Sequence, residues 1–269
     1  MNVKHSYYSD GQIRKTCYLD DNNILHNENG PALIEYHRNE KEKSIVYYIH
    51  GCIHNENGPA EIKYYYNGII QYEYYYINNN LHRTNGPAKI KYFQDGTISK
   101  RTFYKNGKKH NQNGPAFQDF YCDGRIKEEQ YCIENKLHRV DGPALLIYDC
   151  HNNLFKEQWY INGKLHRDNN PASITNFSSG ISFKEFYQHG VLFNPNGPTE
   201  TIYRNNKLEQ AQYLNKDLKL HNLNGPAKIT YGPDESVYEQ IFFIDGTVYS
   251  ELEYYVYIGS LKEENENDQ

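Results

Sequence analysis

The sequence predicts an all-β fold: an elongated antiparallel meander, a β-hairpin repeat array of about eight 28-residue repeats. Three observations predict it. The tripeptide Gly-Pro-Ala begins at Gly30, Gly58, Gly86, Gly114, Gly142 and Gly225, with degenerate copies Asn170-Pro171-Ala172 and Gly197-Pro198-Thr199, so successive spacings are 28, 28, 28, 28, 28, 27 and 28. A fixed period of this size marks a repeat architecture in which each unit buries its apolar face against its neighbours. Between tripeptides the apolar residues alternate with period two and are punctuated by Asn-Gly and Asp-Gly turn signals. Finally, 28 of 269 residues are Tyr and aromatics reach 15%, a composition suited to a half-wet pleated surface.

Each element of the unit follows in order. Counting from the tripeptide Gly as zero, positions 2, 4 and 6 read Ala60, Ile62, Tyr64; Ala88, Ile90, Tyr92; and Ala227, Ile229, Tyr231, which is one buried face of a strand. Pro at the strand start is tolerated because its missing donor falls at the end of the ladder. Asn67-Gly68, Asp95-Gly96, Asp123-Gly124 or Ser179-Gly180 then turns the chain, with Gly free to take a positive φ. A second strand carries an aliphatic column at Ile70, Ile98, Ile126, Leu154, Ile181 and Leu208, then paired aromatics at Tyr47-Tyr48, Tyr75-Tyr76, Phe103-Tyr104, Trp159-Tyr160, Phe186-Tyr187 and Phe242-Phe243. Adjacent members of a pair point to opposite faces. A second turn, such as Asn106-Gly107 or Asn162-Gly163, leads to an arm of the form Leu-His-Arg/Asn and the next tripeptide. A three-residue first turn with a Gly bulge sets the aliphatic column on the core face. A two-residue loop would instead put charged residues such as Glu129 beside that core, so the bulged turn is the expectation.

Short connections make neighbours antiparallel, and each two-strand unit advances by roughly 9.5 Å, giving on the order of 75 Å for eight units. An incomplete copy, Tyr7-Tyr8-Ser9-Asp10-Gly11, precedes the first tripeptide, and Tyr254-Tyr255-Val256-Tyr257-Ile258 reads as a closing strand that caps the edge. The expected organisation is a single array over residues 1–258, with an acidic disordered tail over 259–269.

Charge and motifs exclude several classes. Lys+Arg minus Asp+Glu is 29 − 34 = −5, so no global positive field gathers nucleic-acid phosphates, and the same charge argues against a membrane partner. No secretory h-region and no run of about 18 apolar residues occurs, and the expected location is cytoplasmic. Cys17, Cys52, Cys122, Cys132 and Cys150 are odd in number without a pairing ladder, and are read as reduced thiols. The sequon Asn176-Phe177-Ser178 carries little weight without an export signal.

The histidine column His26, His54, His82, His110, His138, His166 and His221 resembles a metal array. Copies roughly 9.5 Å apart cannot share an ion, since two ligands of one metal must bring their donors within about 4 Å. Phe193 and Tyr249 replace His in two copies, which favours packing and turn bracing with the ring nitrogens tied to nearby backbone. His26-Asn27-Glu28 and His54-Asn55-Glu56 lack the Cys partners of a zinc deaminase. Arg83, Arg139 and Arg167 alternate with Asn in one column and read as a solvated rim. No P-loop, GxSxG or GxGxxG is present; neither catalytic residues, metal nor cofactor is expected.

Asn106-Gly107-Lys108-Lys109-His110, Gly114 and Asp123-Gly124, together with Asn162-Gly163-Lys164-Leu165-His166, resemble the MORN repeat, Asn-Gly-Lys-x-His-Gly-x-Gly followed by a strand and an Asp-Gly turn. The likeness runs from about residue 7 to about 250, with a longer period. It is similar to the long, MORN_2-type variant of viral and phage proteins and antitoxin-associated proteins. The resemblance implies an elongated antiparallel sheet used for protein contacts, self-association or lipid contact, and no catalytic residues.

The functional expectation is a noncatalytic scaffold that binds a protein partner or itself through an aromatic-lined sheet. The candidate binding ladder is the first member of each pair: Tyr47, Tyr75, Phe103, Tyr131, Trp159, Phe186, Tyr213 and Phe242. One aromatic face is expected to lie under the Leu column of the arms while the other stays open. Alternatives are a lipid-associated membrane tether of MORN type and an antitoxin-like inhibitor that occludes a target.

Overall fold

A computed structural model describes residues 2–267. The fold is an antiparallel β meander, as the repeat pattern requires, and it ends in a C-terminal helix. The chain divides into two compact units: one holds residues up to Lys136 together with Tyr148–Asn152, the other Leu137–Ile147 and the chain from Asn153 onward. In the first, the strands Asn2–Tyr7, Ile13–Leu19, Leu33–Tyr36, Glu42–Val46, Glu61–Tyr64, Ile70–Tyr74, Lys89–Tyr92, Ile98–Thr102, Phe117–Phe120 and Ile126–Gln130 each pair antiparallel with the one before. Leu145–Tyr148 straddles the division. In the second unit, Leu154–Gln158, Ser173–Asn176, Ile181–Glu185, Glu200–Arg204, Lys207–Gln212, Lys228–Tyr231, Val237–Ile244 and Thr247–Tyr249 continue the same pattern.

The first turn is the three-residue loop with a Gly bulge where Asn-Gly, Asp-Gly or Ser-Gly marks it, whereas Asn205-Asn206 makes a two-residue turn between Arg204 and Lys207. Tyr65 N–H donates to the Ile69 carbonyl at 2.8 Å, Gly68 N–H donates to the Tyr65 carbonyl at 2.9 Å, and Gly68 sits at φ +91°. Tyr64 then faces Ile70, putting both on one side. A second bulge follows immediately: Lys63 pairs with Tyr72 and Tyr64 with Ile70, leaving Gln71 extra. That extra residue corrects the expectation for the acidic side chains. Beyond the bulge the parity flips, so Gln118 faces Glu129 and Ile62 faces Glu73. Charged residues stand beside the aliphatic column after all; Gln118 accommodates Glu129 by donating to its carboxylate at 2.6 Å.

The same bulge explains the one 27-residue interval. Between Ser173–Asn176 and Ile181–Glu185 the register runs without a shift, so the missing residue is the bulge residue. Ile181 is therefore a turn-closing residue, its carbonyl accepting from Phe177 N–H at 2.8 Å, and not a member of the aliphatic column.

The second turn is a two-residue hairpin with both residues at positive φ, as at Asn106 (+50°) and Gly107 (+77°), the twist that suits a tight hairpin. Every Ala of the six intact tripeptides, and Ala172, is fully buried. Thr199, where Ala is absent, is 3% exposed; its hydroxyl donates to the Gln212 carbonyl at 3.1 Å and accepts from Leu214 N–H at 3.0 Å.

The chain ends differently from the sequence expectation. Tyr254–Ile258 are not a closing strand but part of a helix, α1, over Glu251–Asn267. Ser250 and Glu253 form a capping box: Glu253 N–H donates to the Ser250 hydroxyl at 3.3 Å and Ser250 N–H donates to the Glu253 carboxylate at 2.9 Å. Those bonds satisfy two otherwise orphaned donors, and the Ser250 hydroxyl, donating to the carboxylate at 2.7 Å, followed by the Ser250 N–H, holds the Glu253 carboxyl below its usual range. This local signal prevails over the β preference of the aromatic run. Residues 259–267 of the expected acidic tail continue the helix, and 268–269 lie outside the described residues. Tyr254, 1% exposed, packs its ring 4.8 Å from Phe242, accepts from Gly225 N–H at 2.8 Å and donates to the Asn222 carbonyl at 3.0 Å. A helix thus covers the last hairpin where an edge strand was expected.

Candidate binding face

The histidine column braces turns, and it does so between repeats. His26, His82, His138 and His221 accept through Nδ1 from the backbone N–H of His50, Asn106, Asn162 and Asp245, the first residue of the next repeat's tight turn, at 3.1–3.2 Å. The second turn residue donates to the arm as well, as in Gly107 N–H to the Leu81 carbonyl at 2.8 Å and Gly163 N–H to Leu137 at 2.8 Å. Both outward donors of a type I′ turn are satisfied by the preceding arm. Phe193 is consistent with this role. The following turn there is a wider loop closed by its own Asn215, whose N–H donates to the Lys219 carbonyl at 2.9 Å, so it presents no tight-turn donor to a histidine.

The Asn/Arg column is structural too, correcting its reading as a solvated rim. Asn27, Asn55, Asn111 and Asn222 donate through Nδ2 to the carbonyl of the tripeptide Pro at 3.0 Å, and Arg83 and Arg167 do the same at 3.3 Å. The two guanidinium groups also lie 3.8 Å above the rings of Tyr75 and Trp159. A Cβ on Gly86 would stand 3.3 Å from three Arg83 side-chain atoms, a tight contact that the flexible guanidinium can relieve, and Asn170 holds the same place beside Arg167.

The first-member aromatics stitch neighbouring repeats together. Tyr75 N–H donates to the Ala88 carbonyl at 2.8 Å while its own carbonyl accepts from His82 N–H at 3.0 Å, and Tyr47, Phe103, Trp159 and Tyr213 repeat the arrangement. Tyr47, Tyr75, Phe103, Tyr131, Trp159, Phe186 and Tyr213 are half-buried and Phe242 is buried. Tyr75 and Trp159 lie under arginines and Phe242 under Tyr254.

Another set of side chains, missed in the sequence reading, shares the opposite face of the sheet. In the first unit, Glu61 pairs with Tyr74 and Tyr74 with Lys89, while Lys63 pairs with Tyr72 and Tyr72 with Lys91. Directly opposed residues point to one side. The Tyr72 and Tyr74 rings stack at 4.3 Å and 18°, and Tyr72 hydroxyl donates to Glu61 at 2.7 Å. Lys89 Nζ lies 4.9 Å from the Tyr74 ring and 5.6 Å from that of Tyr104. Burial pushes the Tyr72 phenol well above its ordinary range, with the bond to Glu61 second, and pushes the Lys89 ammonium down, with Lys91 second.

In the second unit the corresponding positions form a shallow groove of about 460 Å³ lined by Phe177, Phe183, Ile202, Glu185 and Glu200. Glu185 and Glu200 stand directly opposite each other, as do Phe183 and Ile202. Burial first and the neighbouring Glu185 second raise the Glu200 carboxyl. Tyr187 hydroxyl donates to Glu185 at 3.3 Å; burial first, then that carboxylate, pushes the phenol up to about 12.

These columns differ from copy to copy. Position 3 reads Leu33, Glu61, Lys89, Phe117, Leu145, Ser173, Glu200 and Lys228, and position 5 reads Glu35, Lys63, Lys91, Asp119, Ile147, Thr175, Ile202 and Thr230, whereas position 2 is Ala in seven of eight copies. That contrast is legible in the sequence and could have pointed to this face. Among the described residues no group of three or more His, Cys, Asp or Glu side chains is placed to hold a metal ion, and no helix is long and apolar enough to cross a membrane. No family model matches the chain, and no curated protein matches it.

Proposed function

We propose that the protein is a noncatalytic repeat scaffold of MORN-like type that binds a protein partner through the face carrying Glu61, Tyr72, Tyr74, Lys89 and their counterparts. The observation that carries this reading is the division of labour between columns. Buried Ala, the braced turns and the Pro-carbonyl caps are held nearly constant between copies, while positions 3 and 5 of one face, accessible except at Asp119 and Ser173, vary in charge, size and aromaticity. In repeat proteins the constrained positions serve stacking and the free ones line the binding surface. Tyr rings with desolvated hydroxyls, interleaved with lysines, give rigid, amphipathic contact area of the kind that protein interfaces favour. The resemblance of Asn162-Gly163-Lys164-Leu165-His166 to MORN repeats, which serve protein contacts, supports the same reading, with the cytoplasm as the location.

Affinity purification with the parent chain, Tyr74→Ala/Tyr104→Ala and the arm variant His138→Phe tests it. A partner that copurifies with the parent and the arm variant but is lost with the face variant supports the proposal. A partner indifferent to the face variant removes it.

A further inference from the structure

Each unit carries a charged patch on its own copies of the variable columns, basic in the first unit and acidic in the second. Among the described residues, neither Lys89 nor Lys91 has a carboxylate within ion-pairing distance. Glu61, the acid whose charge acts on Lys89, is engaged by the Tyr72 hydroxyl. Lys109, a third cation close to Lys89, donates to Gln130 at 3.0 Å. In the second unit no described cation pairs with Glu185 or Glu200, and the Lys184 ammonium is turned onto the Tyr203 ring at 3.9 Å. Each patch also holds apolar or aromatic surface: Tyr74 and Tyr104 beside the lysines, Phe177 (44% exposed) and Phe183 (40% exposed) beside the carboxylates.

We propose that a second copy of this chain docks through these two patches, Lys89 and Lys91 with Tyr74 and Tyr104 of one copy meeting Glu185, Glu200 and Phe183 of the other. The proposal rests on the scaffold reading and names its partner. Charge complementarity argues for it, and so does pitch. Both patches are built on equivalent columns of one repeat, so residues recur at about 6.6 Å along a strand and about 4.8 Å between strands in both. Two faces of one array are therefore commensurate, and rings and alkyl stems can interleave at the roughly 10 Å spacing of stacked sheets. The contact is heterologous, joining different patches of the two copies, and its exposed charges make it sensitive to salt.

Sedimentation equilibrium of the full chain tests the idea. The parent is expected to self-associate at about 20 mM salt and to weaken at least about tenfold by about 500 mM salt, where the Debye length falls to a few ångströms. Lys89→Glu/Lys91→Glu and Glu185→Lys/Glu200→Lys are each expected to be monomeric alone. Mixed one to one they associate again, because each variant then meets the opposite charge on the other. The neutral variants Lys89→Gln/Lys91→Gln and Glu185→Gln/Glu200→Gln, with circular dichroism to confirm folding, give the same loss if a reversal misfolds. A parent that stays monomeric at low salt, association indifferent to these substitutions, or a mixture of folded reversal variants that does not reassociate overturns the proposal. A monomer that still captures a foreign partner through Tyr74 and Tyr104 leaves the scaffold reading standing.

Discussion

At the scale of single residues, the repeat is held by a few polar atoms aimed at backbone groups. His138 accepts from Asn162 N–H at 3.1 Å, and His138→Phe leaves that donor without its partner. A loss of about 1 kcal/mol is expected, read from the urea midpoint. Phe193→His should change stability by less than about 0.5 kcal/mol, because the wider loop around Asn215 offers no donor at that place. Glu200 gives a pH dependence with a definite sign. Burial and Glu185 raise its carboxyl, so the folded chain holds this proton more tightly than the unfolded one. Its contribution to stability is complete below the ordinary carboxylate range of about 4 and is lost as the pH rises through the raised folded value. Glu200→Gln is accordingly expected to raise the melting temperature at pH 7, with the gain vanishing toward pH 3. The histidine and Ala columns could be read from the sequence because a repeat displays the same contact many times. Arg83 could not, because its alternation with Asn conceals that both side chains reach one carbonyl.

At the scale of elements, hairpins were legible and their parity was not. Gly68 and the pair Asn106-Gly107 announce their turns through the positive φ they adopt, but nothing in Ile70-Gln71-Tyr72 marks Gln71 as the extra residue. Its insertion decides which side chains share a face, and only cross-strand pairing reveals it. The C-terminal helix failed to emerge for a different reason: Tyr254–Ile258 favour strand by composition, while the decisive signal, Ser250 three residues before Glu253, lies just ahead of them. Ser250→Ala should remove about 1 kcal/mol of capping and loosen Tyr254 from Phe242, seen as faster amide exchange across residues 237–249. Ala88 is fully buried beside the braced arm, and Ala88→Leu should destabilise by about 1–3 kcal/mol through overpacking, measured by thermal melting.

At the scale of the whole molecule, each repeat touches mainly the ones before and after it, so stability is a sum of modules and interfaces. Removing residues 86–113, one complete period, joins Asn85 to Gly114 in register. The shortened chain is expected to keep its β circular-dichroism spectrum and cooperative melt, whereas removing residues 86–99, half a period, should abolish both. The braces also give the array a direction, since the arm holding His82 reaches forward to the turn at Asn106. During synthesis, each module leaves the ribosome already carrying the clasp for its successor, so the nascent chain can zip up in the order it is translated without waiting for its far end.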